Sequence, residues 1–353
     1  MARQNLETIT QWITAAAQRR PHALDVELAA RTNVSQRSAR RTLARLVELN
    51  WLVREGSVRR PQWRPGLLRQ VVQRYELVGL EEDLPWSLDF APHFFASDSV
   101  LPPNVLRLAQ QAFSELLNNA IGHSGGSHVT VSLRQTASQL QLLVSDNGVG
   151  LFERIAQTFS IASPALAMLE LSKGKLTSEP DRHTGEGLFF TSRLADVFDL
   201  HANDAAFQQR AWDERGWHPQ RALRHAGTSV YAAFALDTAR TLGGVRRAYS
   251  VSQEADPFGV EFSRTVVLLR LITSTIEGLE SRAQARRVSA RLGEFRRAEI
   301  DFGGVTSVGH AFADELFRVF GPTQRSLELV PVNMTPAVAA LVASVRRADP
   351  RSP

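Results

Sequence analysis

The chain has no cysteine among its 353 residues, and its only lysines are Lys173 and Lys175. The first absence excludes disulfides, thiolate zinc sites and cysteine nucleophiles; it fits a reducing compartment, so a cytoplasmic location is expected. Also missing is any apolar run of the roughly 20 residues that a membrane span needs. Trp12 to Ala17 is too short and too interrupted for a signal-peptide core, so no membrane association is expected. With 43% hydrophobic and 22% charged residues the chain has an ordinary globular balance, long enough for two or three domains with cores of their own. Its charge is uneven. Up to Arg74 there are fourteen arginines against five acidic residues, a balance of +9 that leaves −4 for the rest of a chain whose total is +5. A basic module that meets a polyanion, joined to a mildly acidic body, is the expectation. The preference for arginine over lysine carries little by itself, since base composition can produce it.

Residues 1–66 form the first segment. Leu6 to Arg19 reads as a helix stopped by Pro21, Leu24 to Arg31 as a second helix with Asp25 at its N-cap, and Thr32-Asn33-Val34 as a turn. Ser35 caps a third helix reaching about Asn50. On it Ala39, Leu43, Leu46 and Val47 share one arc, and Arg37, Arg40, Arg41 and Arg45 share the opposite one. Trp51 to Val53 reads as a strand, Arg54 to Arg60 as a basic hairpin and Gln62-Trp63 as its return. This order resembles a winged helix-turn-helix. The resemblance implies DNA as a partner: arginines of the third helix would reach guanine edges and phosphates in the major groove. Arg54, Arg59 and Arg60 of the wing would lie along the backbone or minor groove. A winged helix that only dimerises is the alternative. Leu67 to Leu80 reads as a connecting helix within a linker, 67–84.

Residues 85–240 carry the densest set of motifs. Leu106 to Ile121 is helical, and Glu115 and Asn119, four apart, project from one face. An acid so placed can orient a water, and an amide oxygen can hold Mg²⁺, which takes few protein ligands. Two alternating strands follow, His128 to Arg134 and Leu140 to Ser145, the second ending in Asp146-Asn147-Gly148-Val149-Gly150. Asp146 can accept from an exocyclic amine, and glycines let backbone approach a purine closely. Thr184-Gly185-Glu186-Gly187 opens a helix, where backbone N–H groups can meet phosphates. Gly227-Thr228-Ser229 leads into the strand Val230 to Phe234.

In this order and spacing, ELLNNAIGHS, SDNGVG, TGEG and GTSV resemble the motifs of GHKL ATPases, the group of histidine kinases, anti-sigma-factor kinases, type II topoisomerases, Hsp90 and MutL. The resemblance implies ATP and Mg²⁺ as cofactors. It makes Glu115 the general base, Asn119 the metal ligand and Asp146 the adenine acceptor, with Gly148 and Gly150 beside it. Gly185 and Gly187 become the phosphate turn, and Thr228 a water-mediated adenine contact. The segment Phe152 to His183 corresponds to the lid over the nucleotide. Lys173 and Lys175 within it could close on phosphates, or simply sit in a solvated loop. Gly122 stands where kinases of the group often carry a basic residue. His123 and His183 read as orienting or surface groups.

After a linker, 241–257, residues 258–353 alternate strand and helix. The strings SRAQARRVSARLGEF and IDFGGVTSVGHAFADELFRVF resemble the STAS-like DUF4325 domain, related to anti-sigma-factor antagonists. Where antagonists carry a phosphorylated Ser or Thr at a helix start, this chain has His310, with Thr306 and Ser307 just upstream. No histidine-kinase dimerisation helix is recognisable. The expected protein is thus a multidomain α/β chain: winged helix, Bergerat-fold α/β sandwich and small STAS-like α/β domain. Its expected function is ATP-responsive DNA-binding regulation with weak ATPase activity, with homo-oligomers and a protein partner for the STAS-like domain. An anti-sigma-type kinase and a nucleotide-locked oligomer are the alternatives.

Overall fold

A computed structural model describes residues 6–57, 60–94, 101–161, 163–177, 184–213, 216–222, 225–251, 261–273 and 278–347. Two units organise the chain: 1–150 with 195–203 and 225–239, and 151–194 with 204–224 and 240–353.

The first unit starts with three helices, α1 (Leu6–Arg19), α2 (Leu24–Thr32) and α3 (Gln36–Glu48), and a hairpin of β1 (Leu52–Gly56) and β2 (Pro61–Pro65). Asn33 ends α2 in the left-handed conformation, and the Ser35 hydroxyl accepts from Ser38 N at 3.2 Å to start α3. Ile9, Ile13, Leu24, Leu28, Leu43, Leu46 and Trp63 close one core between helices and hairpin. Helix, helix, turn, helix, hairpin is the order expected of a winged helix-turn-helix. Asp25, expected as a cap, is in the first turn of α2 instead, and Ala23 holds the cap position with no side-chain bond. The Asp25 carboxylate is spent on α3: Oδ2 accepts from Gln36 Nε2 at 2.9 Å and from Arg40 Nε at 2.8 Å.

One expectation fails here. Leu67 to Leu80 is not a helix; Arg69–Glu76 is strand β3. Val71, Val72 and Tyr75 suit a pleated surface, and the strand finds its partner far along the chain, running antiparallel to β4 (His128–Gln135) from Arg69↔Gln135 to Glu76↔His128. With β5 (Gln139–Asp146), β6 (Val197–Asn203) and β9 (His225–Ala235) it makes an antiparallel run in the order β3-β4-β5-β9-β6. A π-helical turn, Pro85–Phe90, runs into α4 (Ala91–Phe94), and α5 (Pro103–His123) packs across β5 and β9. Helix α1 lies directly on β3, and Gln70 N donates to Thr14 Oγ1 at 3.1 Å. The buried Arg69 side chain donates to Gly66 O at 3.2 Å and His93 O at 3.0 Å. The amino-terminal helices therefore share a packed boundary with the sheet and do not hang on a linker.

The second unit contains α6 (Leu151–Phe159), α7 (Pro164–Lys173) and α8 (Gly187–Leu194), a short antiparallel pair β7 (Ala205–Arg210) and β8 (His218–Pro219), and α9 (Leu242–Ala248). Its carboxyl-terminal part is a parallel sheet in the order β10 (Arg264–Leu268), β11 (Arg297–Asp301), β12 (Glu328–Val332). The helices are α10 (Arg270–Thr273), α11 (Arg282–Ser289), α12 (His310–Ala313), which continues as a π-helical turn over Asp314–Phe320, and α13 (Pro336–Arg347). Ser281 and Gln284 form a reciprocal capping box that fixes the start of α11. Asp314 and Glu315 are buried but paired, with Arg282 and Arg318 on the first and Arg286 on the second. No helix among the described residues is long and apolar enough to cross a membrane.

Candidate functional site

Helix α5 buries Leu108, Ala109, Ala112, Phe113, Leu116, Leu117 and Ala120. Glu115 and Asn119 flank that stripe in half-buried positions, so neither is surrendered to solvent nor lost in the core. Gln111, one turn earlier, donates from Nε2 to Glu115 Oε1 at 2.9 Å and holds the carboxylate along the helix. Gly122 is exposed, with open space where a side chain would be.

At the end of β5 the chain turns sharply around Asp146, which is 7% exposed. Its Oδ1 accepts from Gly148 N at 2.8 Å and from Thr228 N at 3.1 Å, which locks the carboxylate plane. Burial pushes this carboxyl above its ordinary range, and the two backbone donors pull it part of the way back. The other carboxylate oxygen can accept from an exocyclic amine. Close backbone packing demands the glycines: a Cβ on Gly148 would stand 2.1 Å from Ser124 O, and one on Gly227, at φ +92, 2.3 Å from Asp146 O. Gly150 also has positive φ, +87, and faces the Asn203 side chain. Asn203 was not singled out from the sequence. It donates to Val149 O at 2.8 Å and accepts from Gly227 N at 3.1 Å, tying the Gly148–Gly150 turn to the Gly227–Thr228 turn. Its φ of 51 is left-handed, a conformation Asn favours, and the turn-forming pair Asn203-Asp204 was the signal in the sequence. Asn147 braces the same turn by accepting from Ser127 N and His128 N.

Glu115, Asn119, Asp146, Gly148, Gly150 and Thr228 thus belong to the first unit, and Lys173, Lys175, Gly185 and Gly187 to the second. Gly187 is the first residue of α8, and Gly185, at φ +67, passes so close to the 175–176 backbone that a Cβ would meet it at 2.6 Å. The two lysines are engaged away from any open loop. Lys173 is fully buried and donates to Glu170 Oε1 and, at 2.9 Å, to Ala290 O. Burial pushes its ammonium below the ordinary lysine range, while Glu170 raises it again. Lys175 donates to Glu294 O at 2.9 Å and sits over the Phe295 ring. The reading of 173–175 as a solvated loop is therefore wrong: the carboxyl-terminal domain supplies the partners. His183 lies outside the described residues.

No cluster of three or more His, Asp or Glu suited to a metal ion exists among the described residues. A magnesium ion carried mainly by phosphates and water needs no such cluster; one amide oxygen, as on Asn119, fits it.

All four arginines of α3 are exposed, but they differ. Arg40 is tied to Asp25, and Arg45 to Glu48 at 2.7 Å. Arg37 and Arg41, one turn apart on the same face, have no partner among the described residues. Arg60 is exposed at the hairpin, and Arg59 lies outside the described residues. In the carboxyl-terminal domain Thr306, Ser307 and His310 are all exposed, with His310 opening α12.

Residues 104–206 match the family model for histidine kinase-, DNA gyrase B- and HSP90-like ATPases. Residues 284–338 match the model for a STAS-like domain of unknown function, DUF4325. No curated protein matches the chain. An ATPase domain of this kind implies ATP binding, and beside a STAS-like domain it supports an ATP-binding regulatory protein. The chain carries a GHKL-type ATPase domain followed by a STAS-like DUF4325 domain.

Proposed function

We propose that this protein is an ATP-responsive transcriptional regulator in which the winged helix reads DNA and the STAS-like domain selects a protein partner. The observation that carries the reading is the pair Arg37 and Arg41: exposed, unpaired among the described residues, and aligned on one face of α3. Guanidinium groups so presented match phosphates and guanine edges. Their module is packed through α1 onto β3, a strand of the same sheet whose β5 ends at Asp146. A change at the nucleotide turn thus has a short path of packed secondary structure to the DNA-facing helix. In this reading Asp146 selects adenine with Thr228 beside it, Asn119 holds Mg²⁺, and the Gly185 and Gly187 turn meets the phosphates. Glu115 orients a water for slow hydrolysis. Ordering of the ATPase domain around the γ-phosphate changes DNA affinity or assembly of the homo-oligomer.

The test is a DNA-shift assay with a randomised duplex pool, in moderate salt, with and without Mg-ATP. Binding that shifts with ATP supports the proposal; absence of any retained duplex in either condition sinks the DNA half of it.

A further inference from the structure

Glu170, Lys173 and Lys175 belong to a charged network in the second unit that the nucleotide reading does not use. Glu170 and Lys173 end α7, in the segment between the Asp146–Gly150 turn and the Thr184–Gly187 turn. Opposite them is the stretch from Ala290 to Glu294, which joins α11 to β11. Arg291 donates to Glu170 Oε2 at 3.2 Å and to Gly174 O at 2.7 Å. Lys173 bridges Glu170 and Ala290 O, and Thr265 of β10 donates to Lys173 O at 2.8 Å. The Phe262 ring fills the space beside Gly174, where a Cβ would come within 2.5 Å of it. Both sides hold an unfavourable backbone to reach one another: Lys175 and Arg291 have φ of 56 and 62. Long side chains persist in that region only where surrounding contacts over-determine them, and such residues concentrate at switches.

We infer that the Arg291 stretch of the STAS-like domain is a latch on the ATP lid, which keeps Lys173 and Lys175 from phosphates until it opens. The inference rests on the ATP reading above and adds a regulator to it. The bonds of the Lys173 and Lys175 ammonium groups to Ala290 O and Glu294 O must be given up for the lysines to engage a phosphate. The latched state therefore competes with phosphate contact, and weakening the latch favours nucleotide. By reciprocity, bound ATP loosens the latch and exposes the α11–β11 junction of the STAS-like domain, which is how partner binding and nucleotide become linked.

The experiment uses the full chain as wild type, Arg291→Ala and Arg291→Lys. Amide hydrogen exchange over Pro164–Lys173 is the first readout, with Pro103–His123 as internal reference. Arg291→Ala is expected to speed exchange in the first helix at least tenfold and leave the second unchanged. Arg291→Lys, which keeps charge but cannot span both Glu170 and Gly174, falls between. Affinity for ATP and ADP is the second readout, by fluorescence of a labelled nucleotide. Arg291→Ala is expected to tighten ATP threefold or more relative to ADP. Unchanged exchange in Pro164–Lys173, or an ATP-to-ADP ratio equal to wild type in Arg291→Ala, overturns the latch. Failure of the wild type to bind either nucleotide overturns the ATP reading instead, and leaves the exchange result to judge the contact alone.

Discussion

Asp146→Asn separates what the Asp146 turn does for folding from what it does for nucleotide. In the folded chain Oδ1 accepts from Gly148 N and Thr228 N. An asparagine oxygen can accept from the same two donors, so the turn survives. The substitution also removes a carboxylate that burial penalises. Stability is therefore expected to stay within about 1 kcal/mol of wild type. Nucleotide binding is different. The replaced oxygen becomes an NH₂ donor set against the exocyclic NH₂ of adenine, and a charge-assisted hydrogen bond worth about 1.5–3 kcal/mol is lost. ATP affinity should fall about 10- to 150-fold. Asp146→Ala is the contrast: it leaves two backbone N–H groups without their acceptor and should cost about 2 kcal/mol of stability as well. The assay is calorimetric titration with Mg-ATP beside urea unfolding of each variant. Wild-type affinity in a folded Asp146→Asn variant would refute the assignment of Asp146 to adenine. The pH dependence gives a second check. A carboxyl raised on folding contributes stability that is present below its unfolded value, about 3.9, and is lost as pH rises through the folded value. The stability of Asp146→Asn relative to wild type should therefore be most favourable near neutral pH and decline towards pH 4.

Further outcomes follow from the same geometry. Arg37→Ala and Arg41→Ala should each weaken DNA binding, measured by fluorescence anisotropy, by about 1–3 kcal/mol with unchanged melting temperature. Arg40→Ala should instead lower stability by about 1 kcal/mol, because it strips a partner from the nearly buried Asp25; equal DNA losses in all three would count against that division. Gly227→Ala should cost about 3 kcal/mol in urea unfolding, since its Cβ would stand 2.3 Å from Asp146 O at a φ of +92. Glu115→Ala should keep ATP affinity while slowing phosphate release about 10²- to 10⁴-fold, followed with γ-labelled ATP. Label appearing on Thr306, Ser307 or His310 in the wild type would favour a kinase over a switch.

The motifs around Glu115, Asp146 and Gly185 were legible because each is local. A helix period puts Glu115 and Asn119 on one face, and a strand end followed by glycines announces a turn. The cap at Ser35 was equally readable, because there a side chain meets its own backbone. The start of α2 shows the limit. Asp25 has the composition of a cap, but a salt bridge to Arg40, fifteen residues on, claims it. Arg69–Glu76 shows it again, since RQVVQRYE satisfies helix and strand patterns about equally and only β4, some sixty residues later, decides between them.

Sequence alone determined the candidate nucleotide motifs: which residues carry carboxylate, amide and glycine, and in what order. That information is short-range and rests on side-chain type. Only the tertiary structure decided the employment of the charges. Arg37 and Arg40 are the same residue type on one helix face, and Lys173 and Lys175 read from the sequence as one loop. Asp25 ties Arg40 and not Arg37, and the 290–294 stretch engages both lysines, because the field at a charged group is set by what folds against it rather than by its neighbours in the chain.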